Sequence, residues 1–163
     1  MNPTASSQAV PRQAIDWLAL LLRWGLAALF LYMGASKALH PVDFLKLVRQ
    51  YELTESPFLL NLVAALLPWF EIYCGVLLLL GVAVRGTAVL LVGMLVPFTL
   101  VILRRALAIH ATGVPFCTIR FDCGCGNGEI LICKKLVENA LLTLFALLLT
   151  FRRKHLFGLR PQL

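Results

Sequence analysis

Two cysteines separated by one glycine, Cys123 and Cys125, sit in the stretch FDCGCGNGE, and a third, Cys117, lies just upstream. The thiolate is the nucleophile in disulfide exchange. Glycines on both sides leave the backbone free to close a small ring between two such thiols. A strained ring is easily reduced, which suits transfer of a disulfide rather than its storage. Cys117 is then a candidate resolving thiol, or a partner for either of the two. Cys74 reads as a small apolar packing residue, and Cys133 as packing or a reserve thiol. A helix starting near Gly126 or Asn127 would set the thiols at its positive end and favour the thiolate. Two other readings stand beside the redox pair. Static disulfides could staple the segment, or Cys117, Cys123, Cys125 and Cys133 could hold a metal. The spacing C-x5-C-x-C-x7-C departs from zinc and iron–sulfur patterns, and no metal is assigned.

A second set of chemistry-bearing residues lies inside apolar segments. Arg23, Lys37, Glu71 and Glu138 each interrupt a run of hydrophobic residues. An isolated charge at that depth costs ~2.5–3.5 kcal/mol on insertion scales, so such groups pair or serve a function. At 1.5 Å per residue, Arg23 lies roughly 9 Å and Glu71 roughly 14 Å from one membrane face, with Glu138 roughly 12 Å from the other. An Arg23–Glu71 bridge with Glu138 close by is the expected arrangement. Its role is either to set helix register or to bind a proton or small ligand. Arg23, Gly34 and Lys37 share one helical stripe, and Pro68, Glu71, Gly75 and Leu78 share another. The glycines allow close helix approach. Asn61 and Asn139 read as helix–helix hydrogen bonders. Lys134 and Lys135 read as snorkelling to the interface, and His110 as the end of a helix.

These groups need elements to position them. The 163-residue chain is 60% hydrophobic and only 14% charged, against about 25% charged in ordinary soluble domains. That is an all-α integral membrane protein. Four apolar segments, at about residues 17–39, 57–80, 86–107 and 130–151, each approach the ~20 residues that cross a bilayer as a helix. They predict a four-transmembrane-helix bundle over residues 17–151. A polar tail, read as disordered, precedes it over residues 1–16, and a basic tail follows over 152–163. Between the first two segments, Phe44, Leu47, Val48 and Tyr51 recur at helical spacing among charged residues, which predicts a short interfacial amphipathic helix. The net charge of +7 sits mostly at the ends of apolar runs, so it reads as membrane anchoring and not nucleic-acid binding. The run FRRKH after the last segment places both termini in the cytoplasm. The cysteine loop then faces an oxidising compartment.

Several of these residues carry a family resemblance. Arg23 followed by GASK, Pro41 before the amphipathic segment, LLPWFEIYCGVLLLLG with Pro68, Glu71, Gly75 and Gly81, and CGCG before the last helix occur in this order. The set resembles the DoxX-like membrane proteins, and among them the MauE, or methylamine utilisation, branch, over about residues 17–151. Where that branch has Cys-Gly-Cys-Phe-Gly, this chain has GNG after Cys125, and its loop adds Cys117. The resemblance implies a four-helix bundle in a bacterial inner membrane, with a periplasmic loop and an oxidoreductase-associated role. It implies support for disulfide formation or maturation of a periplasmic redox protein. The expected partners beyond the bilayer are a periplasmic thioredoxin-like protein or dehydrogenase, or a membrane redox complex. The layout is similar to that of quinone-coupled thiol oxidants such as DsbB and vitamin K epoxide reductase, which makes a quinone the cofactor to consider. The leading expectation is a thiol–disulfide oxidoreductase working through Cys123 and Cys125. The alternative is a non-catalytic anchor or assembly subunit with structural cysteines.

Overall fold

The computed structural model describes residues 12–51, 56–122 and 128–152. They form five helices: α1 (Arg12–Leu39), α2 (Pro41–Gln50), α3 (Pro57–Leu80), α4 (Val84–His110) and α5 (Ile132–Phe151). Between α4 and α5 come one 3-10 turn, Phe116–Thr118, and two short strands, β1 (Arg120–Asp122) and β2 (Glu129–Leu131).

Local sequence sets most boundaries. Pro41 and Pro57 open α2 and α3, where a missing N–H costs nothing and the fixed φ suits the first turn. Gly81 ends α3 at φ 73°. Its N–H reaches the Leu78 carbonyl and the Val82 N–H reaches that of Leu77, the paired closure that a left-handed glycine permits. The chain therefore reverses into α4 within three residues.

Three of these helices are long and apolar enough to cross a membrane: α1 from Ile15 onward, α3 and α4. The fourth expected span, α5, has the length but carries Lys134, Lys135 and Glu138 in its first two turns. By length and composition the described residues thus form a mostly helical membrane protein with three spanning helices. One further expectation is corrected. Residues 12–16, expected in the disordered tail, belong to α1. Just past the end of α5, the Arg152 guanidinium pairs with the Asp16 carboxylate and donates to the Ile15 carbonyl at 2.8 Å. That cross-link holds the first turns of α1. Residues 1–11 lie outside the described residues.

The helices pack as two pairs. α1 lies along α3 and α4 along α5, with lighter contacts joining the pairs. The first pair is intimate because glycines face backbone. A Cβ at Gly34 would sit 2.8 Å from the Pro68 carbonyl oxygen, and one at Gly75 would sit 3.1 Å from that of Ala27. Helix α2 turns Phe44 and Val48 onto Ala64 of α3, and its charged face stays exposed. β1 and β2 form an antiparallel hairpin with Phe121 opposite Ile130 and Asp122 opposite Glu129.

A buried ionic cavity between the helix pairs

Four polar side chains meet in the cleft between the two helix pairs. Lys37 Nζ lies 2.5 Å from Glu71 Oε1 and 2.7 Å from Oε2. Both residues are only 5% exposed. Lys37 is placed by the inward stripe of α1 and Glu71 by the Pro68–Glu71–Gly75 face of α3. From the opposite pair, α5 contributes Lys135 and Asn139, one turn apart on its buried stripe. Lys135 is 2% exposed. It donates to Glu138 at 3.3 Å and lies close enough to Glu71 to act on that carboxylate. Asn139 donates from Nδ2 to Thr99 Oγ1 of α4 at 3.2 Å. Two lysines, two carboxylates and an amide are thereby matched in a medium where none could stand alone.

Lys37, Glu71, Lys135 and Asn139 form one wall of a cavity of about 280 Å³. The rest of the lining is apolar, including Phe30 and Met33 of α1, Leu67 of α3, and Met94, Pro97 and Phe98 of α4. Phe44, Val48 and Tyr51 close it from the α2 side. A second, polar cavity of about 370 Å³ lies on the other side of Lys37 and Phe44. It is bounded by Ser36, His40, Asp43, Asp122 and Gly128. The ammonium of Lys37 rests 5.5 Å from the centre of the Phe44 ring, so the pair forms a shared wall between an oily and a wet compartment. On the wet side, a hydrogen bond from Lys46 holds the Asp43 carboxyl below its ordinary value.

The expected Arg23–Glu71 bridge is not the one made. Both oxygens of Glu71 are taken by Lys37. Arg23 and Lys37 are fourteen residues apart on α1, about 21 Å along a helix. The glycine contacts fix this register, since Gly34 meets Pro68 and Ile72 while Gly75 meets Ala27 and Leu31. That places Glu71 toward the Lys37 end of α1. Arg23 is buried elsewhere on that helix and does not line the cavity. Glu138 meets the cluster only through Lys135. Lys135, expected to snorkel, is buried. Its signal in the sequence is the stripe Ile132, Lys135, Asn139, Leu142, Ala146 and Leu149, whose three- and four-residue steps put it on the core face. Asn139 makes the helix–helix hydrogen bond expected of it and also faces the cavity.

The cysteines divide into two groups. Cys117 is joined to Cys133, with Cα atoms 5.2 Å apart. This corrects the resolving role expected of Cys117 and the packing or reserve role expected of Cys133. The 3-10 turn and hairpin fold Cys117 back onto the first turn of α5, where the Ile132 N–H also donates to the Ile119 carbonyl at 3.0 Å. Cys74 is a free thiol buried in α3. Cys123 and Cys125 lie outside the described residues, between β1 and β2. The expected helix start near Gly126 or Asn127 is also corrected. α5 begins at Ile132, after strand β2. His110 ends α4 as expected. Its Nδ1 lies 2.8 Å from the Val114 carbonyl oxygen, and its ring stands edge-on to Phe116.

Comparison with protein families gives a match to the family described as methylamine utilisation protein MauE, over residues 15–152. Comparison with curated proteins and with solved structures gives no match.

Proposed function

Since the chain belongs to the MauE family of membrane proteins, matched from residue 15 to residue 152, we propose that it serves methylamine utilisation by thiol–disulfide exchange. The working pair is Cys123 and Cys125, and the product is a disulfide in a periplasmic redox protein. The observation that carries this reading is the Cys117–Cys133 disulfide. With those two cysteines joined and Cys74 buried in α3, the Cys-Gly-Cys pair is what the loop has left for exchange. The flanking residues Asp122 and Gly128 border the polar cavity, which is the side a water-soluble partner would approach.

In the proposed step a partner thiolate attacks the Cys123–Cys125 disulfide. A mixed disulfide forms and one cysteine leaves as thiolate. The partner's second thiol then displaces the other. The partner gains an S–S bond and loses two electrons and two protons, and this chain holds them as two thiols. The DoxX-like kinship, a bacterial inner-membrane location, a fourth crossing by α5 and a periplasmic loop belong to the same reading. Two contacts support the fourth crossing. Arg85, at the start of α4, donates to the Thr150 carbonyl near the end of α5 at 3.0 Å, and Arg152 reaches the start of α1.

Thiol alkylation of the purified protein in graded glutathione buffers tests the exchange. Cys123 and Cys125 are expected to convert together between thiol and disulfide, with Cys117 and Cys133 protected throughout. A strain carrying Cys123→Ser and Cys125→Ser that still matures its periplasmic partner at the normal rate would end the idea. The second reading, a non-catalytic assembly subunit, draws on the same disulfide, which staples the loop to α5. It requires a stable complex with an oxidoreductase, and purification from native membranes as a lone chain counts against it.

A further inference from the structure

We propose that the cavity between the helix pairs binds a quinone. The inference rests on the thiol-exchange reading for its purpose and on the cavity itself for its chemistry. The charges of the lining are each paired: Lys37 with Glu71 inside the cavity, and Lys135 with Glu138, which stands behind the lining. A balanced cluster does not select an anionic head such as a carboxylate or phosphate. It selects a neutral head whose oxygens accept hydrogen bonds. Lys37 directs two N–H groups at Glu71 and has a third. Asn139 uses Nδ2 on Thr99, and its amide has a second N–H and an oxygen. Beside these donors the lining includes Phe30, Met94, Pro97 and Phe98, which suits a flat ring with an apolar tail. A few polar groups in a mainly apolar pocket is the usual make-up of a small-molecule site, and about 280 Å³ is near the lower end of the ~300–1,000 Å³ such sites occupy. A ring would fill it, with the tail left to the bilayer.

The same position answers a redox requirement. Each turn of the exchange leaves two electrons and two protons on the Cys123/Cys125 thiols. Re-forming their S–S bond needs an acceptor for both, and a quinone takes two electrons and two protons to become a quinol. Lys37 and Phe44 line this cavity and also the polar cavity bordered by Asp122 and Gly128. One side-chain layer therefore separates the quinone head from the residues flanking the thiol pair. In that layer Lys37 carries exchangeable protons and the Glu71 carboxylate can accept one.

The test is titration of the full-length protein, in nanodiscs of quinone-free lipid, with decylubiquinone, read as a saturable rise in thermal midpoint. Asn139→Leu is expected to weaken binding up to about tenfold, the size of one hydrogen bond. Gly93→Phe serves as the second variant because it leaves every ion pair in place. Gly93 lines the cavity and has open space at its Cβ position, so the ring is expected to abolish binding. Cys123→Ser with Cys125→Ser is expected to bind decylubiquinone normally, which separates this site from the exchange reading. The proposal is overturned by any of three results: no saturable shift in the wild-type protein, equal displacement by decanoate, or wild-type affinity in Gly93→Phe. Binding that persists without thiol interconversion keeps the site and removes the exchange.

Discussion

Glu71 is the residue on which the buried cluster turns. It takes Lys37 through both oxygens and feels Lys135 from across the cleft. Removing one partner of a buried pair costs roughly 3–5 kcal/mol, because the other charge is stranded. Replacing both by apolar residues costs far less. Glu71→Gln is accordingly expected to lower the thermal midpoint in detergent sharply, and Lys37→Met with Glu71→Leu to recover most of the loss. A double variant as unstable as the single one would show that the pair does more than neutralise itself. The sequence made Lys37 and Glu71 legible as inward residues. It did not make their pairing legible, because a stripe on a helix fixes direction but not height. Arg23 shares the stripe and was the wrong choice of partner by about 21 Å of helix.

At the scale of elements, two close approaches hold the cavity walls in place. Gly34 lets α1 lie against the Pro68–Ile72 turn of α3, and this contact sets the height at which Lys37 meets Glu71. Gly34→Leu would force backbone apart where there is no room. Overpacking of this kind costs about 1–3 kcal/mol, and the variant is expected to lose the ion pair together with the stability. A midpoint equal to wild type would show that the helices can slide without penalty. The second approach is the Cys117–Cys133 disulfide, which returns the loop to α5 across a separation of 16 residues. A loop of that length contributes about 3 kcal/mol through the unfolded state. Cys133→Ser is expected to lower stability by that order in chemical denaturation, while Cys123 and Cys125 still interconvert. The hairpin β1–β2 was not legible beforehand. Three-residue strands among glycines show no alternation long enough to read, and their pairing depends on where the chain returns.

The whole molecule is a membrane bundle whose two helix pairs leave a slot between them. The polar ends of α1, α4 and α5 meet at Asp16, Arg85 and Arg152, and the hairpin lies at the other end, over the start of α5. If α5 crosses the bilayer, Cys123 and a cysteine placed by Gln162→Cys must react with an impermeant maleimide from opposite sides of the membrane. Reaction of both from one side would remove the fourth crossing and put the C-terminus on the side of the loop. Of the four spans that composition predicts, length and hydropathy support three, α1, α3 and α4. α5 is harder because Lys135 is buried against protein and paired with Glu138, and hydropathy cannot tell a charge that is paired from one that is not.

By itself the sequence determined that this is a helical membrane protein, where α3 begins and ends, which faces of α1 and α3 turn inward, and which family motifs the chain carries. Those properties follow from local rules: hydrophobicity over a span, proline at helix starts, glycine at a helix end, and the 3.6-residue period. The tertiary structure decided which charge meets which, that Cys117 takes Cys133, that Lys135 is buried, and that a cavity remains between the helix pairs. Each of these depends on the relative height and rotation of two helices, which packing of glycine against backbone sets and no single segment encodes.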